Sequence, residues 1–190
     1  MKKLLLILLC LPMIGFGQNL AIGDTYQGGI IFYLDGNGGG LIVAPEDQAI
    51  ISKWAESCYA ETISSNKTAI GSGSRNTIEL EKICTQSETA ADICANLSLG
   101  GYSDWFLPSK DELNIMYINL TQKQFNLGNF RSHYYWSSSL YGSKLVNFVW
   151  VQNFGAKSDF WKDNSDNQNF SFINSFAGGS AFYVRAIRAF

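Results

Sequence analysis

Lys2 and Lys3 precede an unbroken apolar run from Leu4 to Ile14. Beyond it, short β-branched or aromatic runs alternate with polar, glycine-rich connections. The first run has a charged start, then eleven apolar residues, then Gly15-Phe16-Gly17 with small residues at minus three and minus one. This reads as a secretory signal peptide over residues 1–17, cut before Gln18. The run is too short to span a bilayer as a stable helix, and no later stretch of 18 apolar residues exists, so no membrane span is expected after cleavage. A lipoprotein signal ending at Cys10 competes. It would leave a short apolar core and put bulky Leu9 where a small residue belongs.

Residues 29–34 (Gly-Ile-Ile-Phe-Tyr-Leu) and 41–44 (Leu-Ile-Val-Ala) read as strands. Asp35-Gly36-Asn37-Gly38-Gly39-Gly40 between them tolerates positive φ, which predicts a hairpin. A phosphate loop would need a following Lys-Ser/Thr and a helix, and neither follows. Gly71-Ser72-Gly73-Ser74 is likewise a flexible loop ahead of a helix. Three helices are expected next. Asn76-Thr77-Ile78-Glu79 looks like a capping box before Leu80 and Ile83. Thr85 or Ser87 starts a second helix through Ala91, Cys94 and Leu97, stopped by Gly100-Gly101. In Pro108-Ser109-Lys110-Asp111-Glu112, Ser109 can cap the third helix while Glu112 reaches back to the Ser109 amide. Leu113, Met116, Tyr117 and Leu120 then form its apolar stripe. Asp111 and Glu112 diverge by about 100° on that helix, so capping is favoured over a catalytic pair.

From residue 133 the pattern turns to strands: Tyr134–Ser137, Val146–Phe154 and a closing strand, Phe182–Arg188. An early hairpin, central helices and late strands predict an α+β fold, with antiparallel strands, helices and long polar loops. No repeat or linker divides residues 18–190, which read as one domain. Arg185 and Arg188, three apart, fall on opposite faces of a regular strand. One is expected inside, paired with an acid such as Asp104.

Charged residues make up 16% of the chain, below the usual ~25%. Cleavage would leave 12 basic against 16 acidic residues, net −4, which excludes a basic nucleic-acid binder. In an oxidising compartment the three remaining cysteines, Cys58, Cys84 and Cys94, suggest one disulfide and one thiol. Without a Cys-x-x-Cys and with His133 as the one histidine, a structural zinc site is not expected. Cys94, amid Ala90, Ala91 and Leu97, reads as a buried, inert thiol.

Four blocks together resemble a known bacterial family. They are Gly28–Tyr33, Gly101-Tyr102-Ser103-Asp104-Trp105-Phe106-Leu107-Pro108-Ser109-Lys110-Asp111-Glu112-Leu113, Tyr135-Trp136-Ser137-Ser138-Ser139 and Val184-Arg185-Ala186-Ile187-Arg188. In this order they are similar to the C-terminal domain of the Legionella collagen-like adhesin. The resemblance implies a C-type-lectin-like fold, and it supports pairing Cys58 with Cys84. Two departures stand out. The collagen-like repeats are absent, and a net charge of −4 does not suit the sulfated polysaccharides that the adhesin binds.

Chemistry is sparse. His133 has no evident nucleophile partner, and Ser137–Ser139 form no Gly-x-Ser-x-Gly elbow, so an enzyme is not expected. An oxidase of the formylglycine-generating type would need a late cysteine pair, and the mature cysteines all precede residue 95. Trp54, Trp105, Trp136 and Trp150 sit among apolar neighbours and read as core. Trp161 is set instead among Asp159, Lys162, Asp163, Asn164, Asp166, Asn167 and Asn169. A planar aromatic beside Asn and Asp suits a sugar: the ring stacks, and the polar groups exchange hydrogen bonds with hydroxyls. Tyr141, following the serine run, is expected near this loop on a lectin-like fold. The candidate ligand-binding residues are thus Tyr141, Asp159, Trp161, Asp163, Asn164, Asn167 and Asn169. Asp163 and Asp166, with Asp159, are hard oxygen ligands suited to Ca²⁺, although the stretch lacks EF-hand spacing. The same residues also compose an ordinary solvated hairpin loop. The function expected is an exported binding module without an obligate cofactor, secreted, periplasmic or on the cell surface. Its partner would be a glycan or a surface protein.

Overall fold

The computed structural model describes residues 19–54, 67–121, 127–141, 148–155, 170–174 and 182–190. The early hairpin forms where the sequence places it. β1 (Thr25–Tyr26), β2 (Gly29–Leu34) and β3 (Gly40–Val43) are antiparallel neighbours. In the β2–β3 turn, Asp35 Oδ1 accepts from the amides of Asn37 at 2.7 Å and Gly39 at 3.0 Å. Gly36 and Gly38 take φ of 79° and 96°, conformations that β-carbons disfavour. The period of two then sorts the side chains. Ile31 and Ile42 join one core with Trp54, Leu80, Trp105 and Trp136. Phe32, Leu41 and Val43 join another with Leu113, Met116, Leu120 and Phe130.

β9 (Ile187–Ala189) completes this four-stranded sheet, in the order β1-β2-β3-β9, and so seats the end of the chain against the early hairpin. The second sheet has five strands, β4 (Ala49–Ser52), β8 (Phe182–Val184), β5 (Tyr134–Tyr141), β6 (Phe148–Asn153) and β7 (Phe170–Asn174), ordered β4-β8-β5-β6-β7. The α+β class holds, and among the described residues the expectation of antiparallel strands holds for every strand pair but one. After β7 the chain returns to lie between β4 and β5, so β8 runs parallel to β5, with Tyr135 opposite Tyr183.

The expected closing strand is divided. Val184 pairs with Ala49 in the five-stranded sheet, and Ile187 pairs with Val43 in the four-stranded one. Arg185 and Ala186 form the corner. Both are buried, so the apolar run reads as continuous although it changes sheets. Arg185 holds the corner through its Nε bond to Asp47 Oδ1 (2.7 Å) and Nη1 bonds to the carbonyls of Ala44 and Gly128 (both 2.9 Å). Arg188 is also buried and pairs with Asp104, as the sequence suggested for one of the two.

The third helix, α3 (Lys110–Leu120), carries the expected capping box. Ser109 Oγ accepts from the Glu112 amide at 3.3 Å, and Glu112 Oε2 accepts from the Ser109 amide at 2.7 Å. The other two helices begin elsewhere than expected. α1 (Gly73–Ile83) starts three residues before Asn76, and its N-cap Ser72 makes no side-chain cap. The substitute comes from α3: Glu112 Oε1 accepts the Gly71 amide at 2.8 Å, and the Gly73 amide also reaches this carboxylate. Asn76 and Thr77 are then interior and buried, and Thr77 Oγ1 donates to the Gly73 carbonyl at 2.9 Å. α2 (Ala90–Ala95) starts after Thr89, whose side chain accepts from the Asp92 amide, and not after Thr85 or Ser87.

Ser137–Ser139 serve the framework. Trp136 faces Val151 and Leu140 faces Val149, so three serines stand opposite Trp150 alone. Such a bulge frees backbone groups from the ladder, and the hydroxyls of a serine run can satisfy them locally. Ser137 Oγ donates to the Trp150 carbonyl at 2.7 Å, and Ser139 Oγ to the Lys67 carbonyl at 2.8 Å. Ser138 Oγ accepts from Asn76 Nδ2 at 3.2 Å, tying β5 to α1.

Candidate functional site

Asp159, Trp161, Asp163, Asn164, Asp166, Asn167 and Asn169 lie outside the described residues, as does Cys58. The described chain nevertheless fixes where their segment is attached. It leaves after Phe154, whose amide donates to the His133 carbonyl at 2.9 Å, and after Gly155, which packs against Ser132. It re-enters at Phe170, opposite Gln152. Tyr141 stands at the far end of β5, opposite Phe148, while Tyr134 at the near end faces Asn153. Over an eight-residue strand that separation is roughly 20 Å. Tyr141 and the anchors of the Trp161 segment therefore sit at opposite ends of the β5–β6 pair.

At the anchor end the sheet carries a set of aromatic rings. His133 is exposed, and Tyr134, Phe182 and Tyr183 are half-buried. Ring centroids of His133 and Tyr183 are 4.8 Å apart, and those of Tyr134 and Phe182 5.4 Å. Beneath them Tyr135 is fully buried against Phe154 and Phe130. Its hydroxyl accepts from the Arg131 amide at 2.9 Å and bonds to Asp47. Burial first, and the Asp47 charge second, push this hydroxyl's pKa well above the usual tyrosine value.

Beside this network opens a pocket of about 670 Å³. Glu46 and Asp47 line it from the segment entering β4, Ile50 from β4 itself, Asn129 and Arg131 from the segment before β5, and Arg185 from the sheet corner. The Arg185–Asp47 pair is closed to solvent, with the arginine 1% exposed and the aspartate 10%. Glu46, Asn129 and Arg131 are exposed. None of the residues around this pocket was singled out from sequence except Arg185. A guanidinium in an apolar closing strand was the one available signal.

A second cavity, about 430 Å³, lies between α1 and the Ser103–Phe106 segment, so the most distinctive sequence block forms part of its wall. Glu81 lines it. Its Oε1 is buried without a hydrogen-bond partner among the described residues, and burial together with the Asp92 charge raises its pKa. Across from it stands Asp104, engaged by Arg188.

His133 Nδ1 accepts from the Tyr134 amide at 3.0 Å, while Ser137, Ser138 and Ser139 are buried in the bulge. Cys94 is a buried free thiol, raised far above the ordinary cysteine value chiefly by burial and then by Glu81. Cys84 is disulfide-bonded. Among the described residues no group of three or more His, Cys, Asp or Glu side chains is placed to hold a metal ion, and no helix is long and apolar enough to cross a membrane. No family model matches the chain, and no curated protein matches it.

Proposed function

We propose that this chain is an exported, non-enzymatic binding module that takes a glycan or another cell-surface ligand on a C-type-lectin-like scaffold. One observation carries the reading. The polar segment bearing Trp161 leaves and returns at the sheet end where half-buried aromatics and a pocket of mixed charge already lie. Aromatic faces and planar polar groups are what a hydroxylated ring requires, the first for its C–H surface and the second for its hydroxyls. The distinctive serines, Glu112 and Arg188 meanwhile serve the framework, through the bulge, the capping box and the Asp104 pair. In this reading Asp159, Trp161, Asp163, Asn164, Asn167 and Asn169 contact the ligand. Tyr141 reaches it only if the segment folds back along the sheet. The bridge to Cys84 comes from Cys58, and Ca²⁺ at Asp163 and Asp166 is an optional addition.

A second reading, a protein-interaction or structural surface module on the same scaffold, has its own support. Ile50 and Ile51 are 63% and 73% exposed on β4, an outer strand of the five-stranded sheet. A glycan array probed with residues 18–190, once with millimolar Ca²⁺ and once with EDTA, separates the two. Selective signals that fall in the Trp161→Ala, Asp163→Ala variant support the glycan reading. Loss of those signals in EDTA adds the metal. A blank array in both buffers moves the assignment to a protein partner.

A further inference from the structure

We infer that the pocket at the Arg185 corner is a subsite for a neutral, hydroxyl-bearing ring, held by side-chain hydrogen bonds to Asn129, Arg131 and Glu46. The inference rests on the glycan reading and gives it a place among the described residues. Charge balance selects the ligand class. Asp47 and Arg185 neutralise each other within the wall. Glu46 and Arg131, both exposed, bring one further charge of each sign to the same pocket. An anionic ligand would gain from Arg131 and meet Glu46, and a cationic one would meet the reverse. A neutral ring with adjacent hydroxyls avoids both conflicts, because each hydroxyl donates to a carboxylate and accepts from a guanidinium or amide.

The arginine at the corner fixes the wall against which the ring sits. Nε and Nη2 both approach the same oxygen of Asp47, at 2.7 and 2.6 Å, rather than forking across two oxygens. Nη1 is used by the carbonyls of Ala44 and Gly128. All three nitrogens are thus turned to protein oxygens, and the guanidinium is a fixed wall of the pocket rather than a ligand contact. The side chain itself is 1% exposed, so it is already fixed before a ligand arrives. Ile50, 63% exposed, supplies apolar surface for the C–H face. A volume of about 670 Å³ falls within the range common for small-molecule sites.

The test is saturation-transfer NMR and titration of residues 18–190, in EDTA, with glucose, galactose, mannose, N-acetylglucosamine, their neutral disaccharides and, as acidic members, glucuronic and galacturonic acid. Arg131→Ala removes the guanidinium and keeps the amide that bonds Tyr135. Asn129→Gly suits the backbone, whose φ is 51°. Each is expected to weaken binding at least tenfold, while Arg75→Ala on exposed α1 leaves it unchanged. Near-ultraviolet circular dichroism checks that the variants are folded. Binding lost in Trp161→Ala but intact in Arg131→Ala and Asn129→Gly would overturn the subsite and leave the glycan reading standing. Binding of acidic saccharides alone would overturn the assigned ligand class. No binding to this panel or to the glycan array would overturn both.

Discussion

Trp54 and Trp136 are tied reciprocally: the indole of each donates to a backbone carbonyl beside the other. Trp136 Nε1 reaches the Ser52 carbonyl at 2.7 Å, and Trp54 Nε1 reaches the Ser137 carbonyl at 2.8 Å. Both rings are buried, so neither carbonyl has water as a substitute. The pair locks the outer strand β4 to the serine bulge of β5, although β8 lies between those strands. Replacing either ring by phenylalanine removes a donor and some packing volume, at a cost of about 2–4 kcal/mol each. The double variant should lose less than the two single losses together, because the ties share one junction. Urea titrations of the four proteins measure this. Strict additivity would show that the two bonds act independently.

Glu112 joins two helices that are far apart in sequence. Its carboxylate accepts amides from its own cap and from the loop that starts α1. Burial raises its pKa, and the amides of Ser109 and Gly71 partly offset this. Glutamine is nearly isosteric but turns an NH₂ toward a donor. Glu112→Gln should therefore cost about 2–3 kcal/mol. Loss of amide protection should concentrate at Gly71–Asn76 in hydrogen exchange. A uniform change across the domain would contradict the stapling role.

These two sites also show what was legible in the sequence. The α3 cap was readable because donor and acceptor are three residues apart. The β2–β3 turn was readable because its glycines and Asp35 act on their own backbone. The start of α1 was not, since Glu112 supplies the missing partner from some forty residues away. The serine run gave no local sign that it was a bulge, because a bulge exists only relative to the strand opposite. The closing strand divides at buried residues, where hydrophobic periodicity carries no information about which sheet receives them. At the candidate site, Asp47, Asn129 and Arg131 look like ordinary surface residues until the corner brings them together.

Glu81 gives a prediction of opposite sign. It is a partly buried carboxylate with one oxygen unpartnered among the described residues and Asp92 nearby. Its pKa is raised by folding, so the folded state binds the proton more tightly than the unfolded one. Stability from this group is therefore greatest below the unfolded value, near 4.3, and is lost as pH rises through the folded value. Glu81→Gln should stabilise the protein at pH 7, by about half a kcal/mol given solvent screening. The gain should shrink toward pH 4. Denaturation at both pH values decides the sign, and a gain that grew on acidification would contradict the assignment.

The cysteines should separate cleanly by reactivity. Cys94 is buried and holds its proton tightly, so the thiolate that reacts with alkylating agents is scarce. In the folded protein iodoacetamide should leave Cys94 unmodified, and in urea it should label that residue alone. Peptide mapping without reductant should then recover Cys58 and Cys84 in one cross-linked species. Labelling of Cys58 or Cys84 before reduction would exclude that pairing.

Arg185 and Arg188 stand three residues apart and should respond unequally to the same change. Arg185 is 1% exposed, its partner Asp47 is 10% exposed, and the guanidinium also serves two buried carbonyls. Lysine keeps the charge but lacks the planar fork. Arg185→Lys would leave carbonyls unpaired and a buried charge poorly solvated, costing about 3–5 kcal/mol. Arg188 is also buried, with its guanidinium 3.7 Å from the centre of the Tyr102 ring. Its partner Asp104, however, is 63% exposed and can be rehydrated. Arg188→Lys should then cost less, about 1–2 kcal/mol, from the ring contact and the Nη1 bond to Gln27 Oε1 (2.6 Å). The contrast also separates corner from surface in binding. Arg185→Lys should weaken any ligand held at the corner pocket, whereas Arg188→Lys should not. Equal losses of stability would mean that the sheet corner is held by packing, with its buried ion pair contributing little.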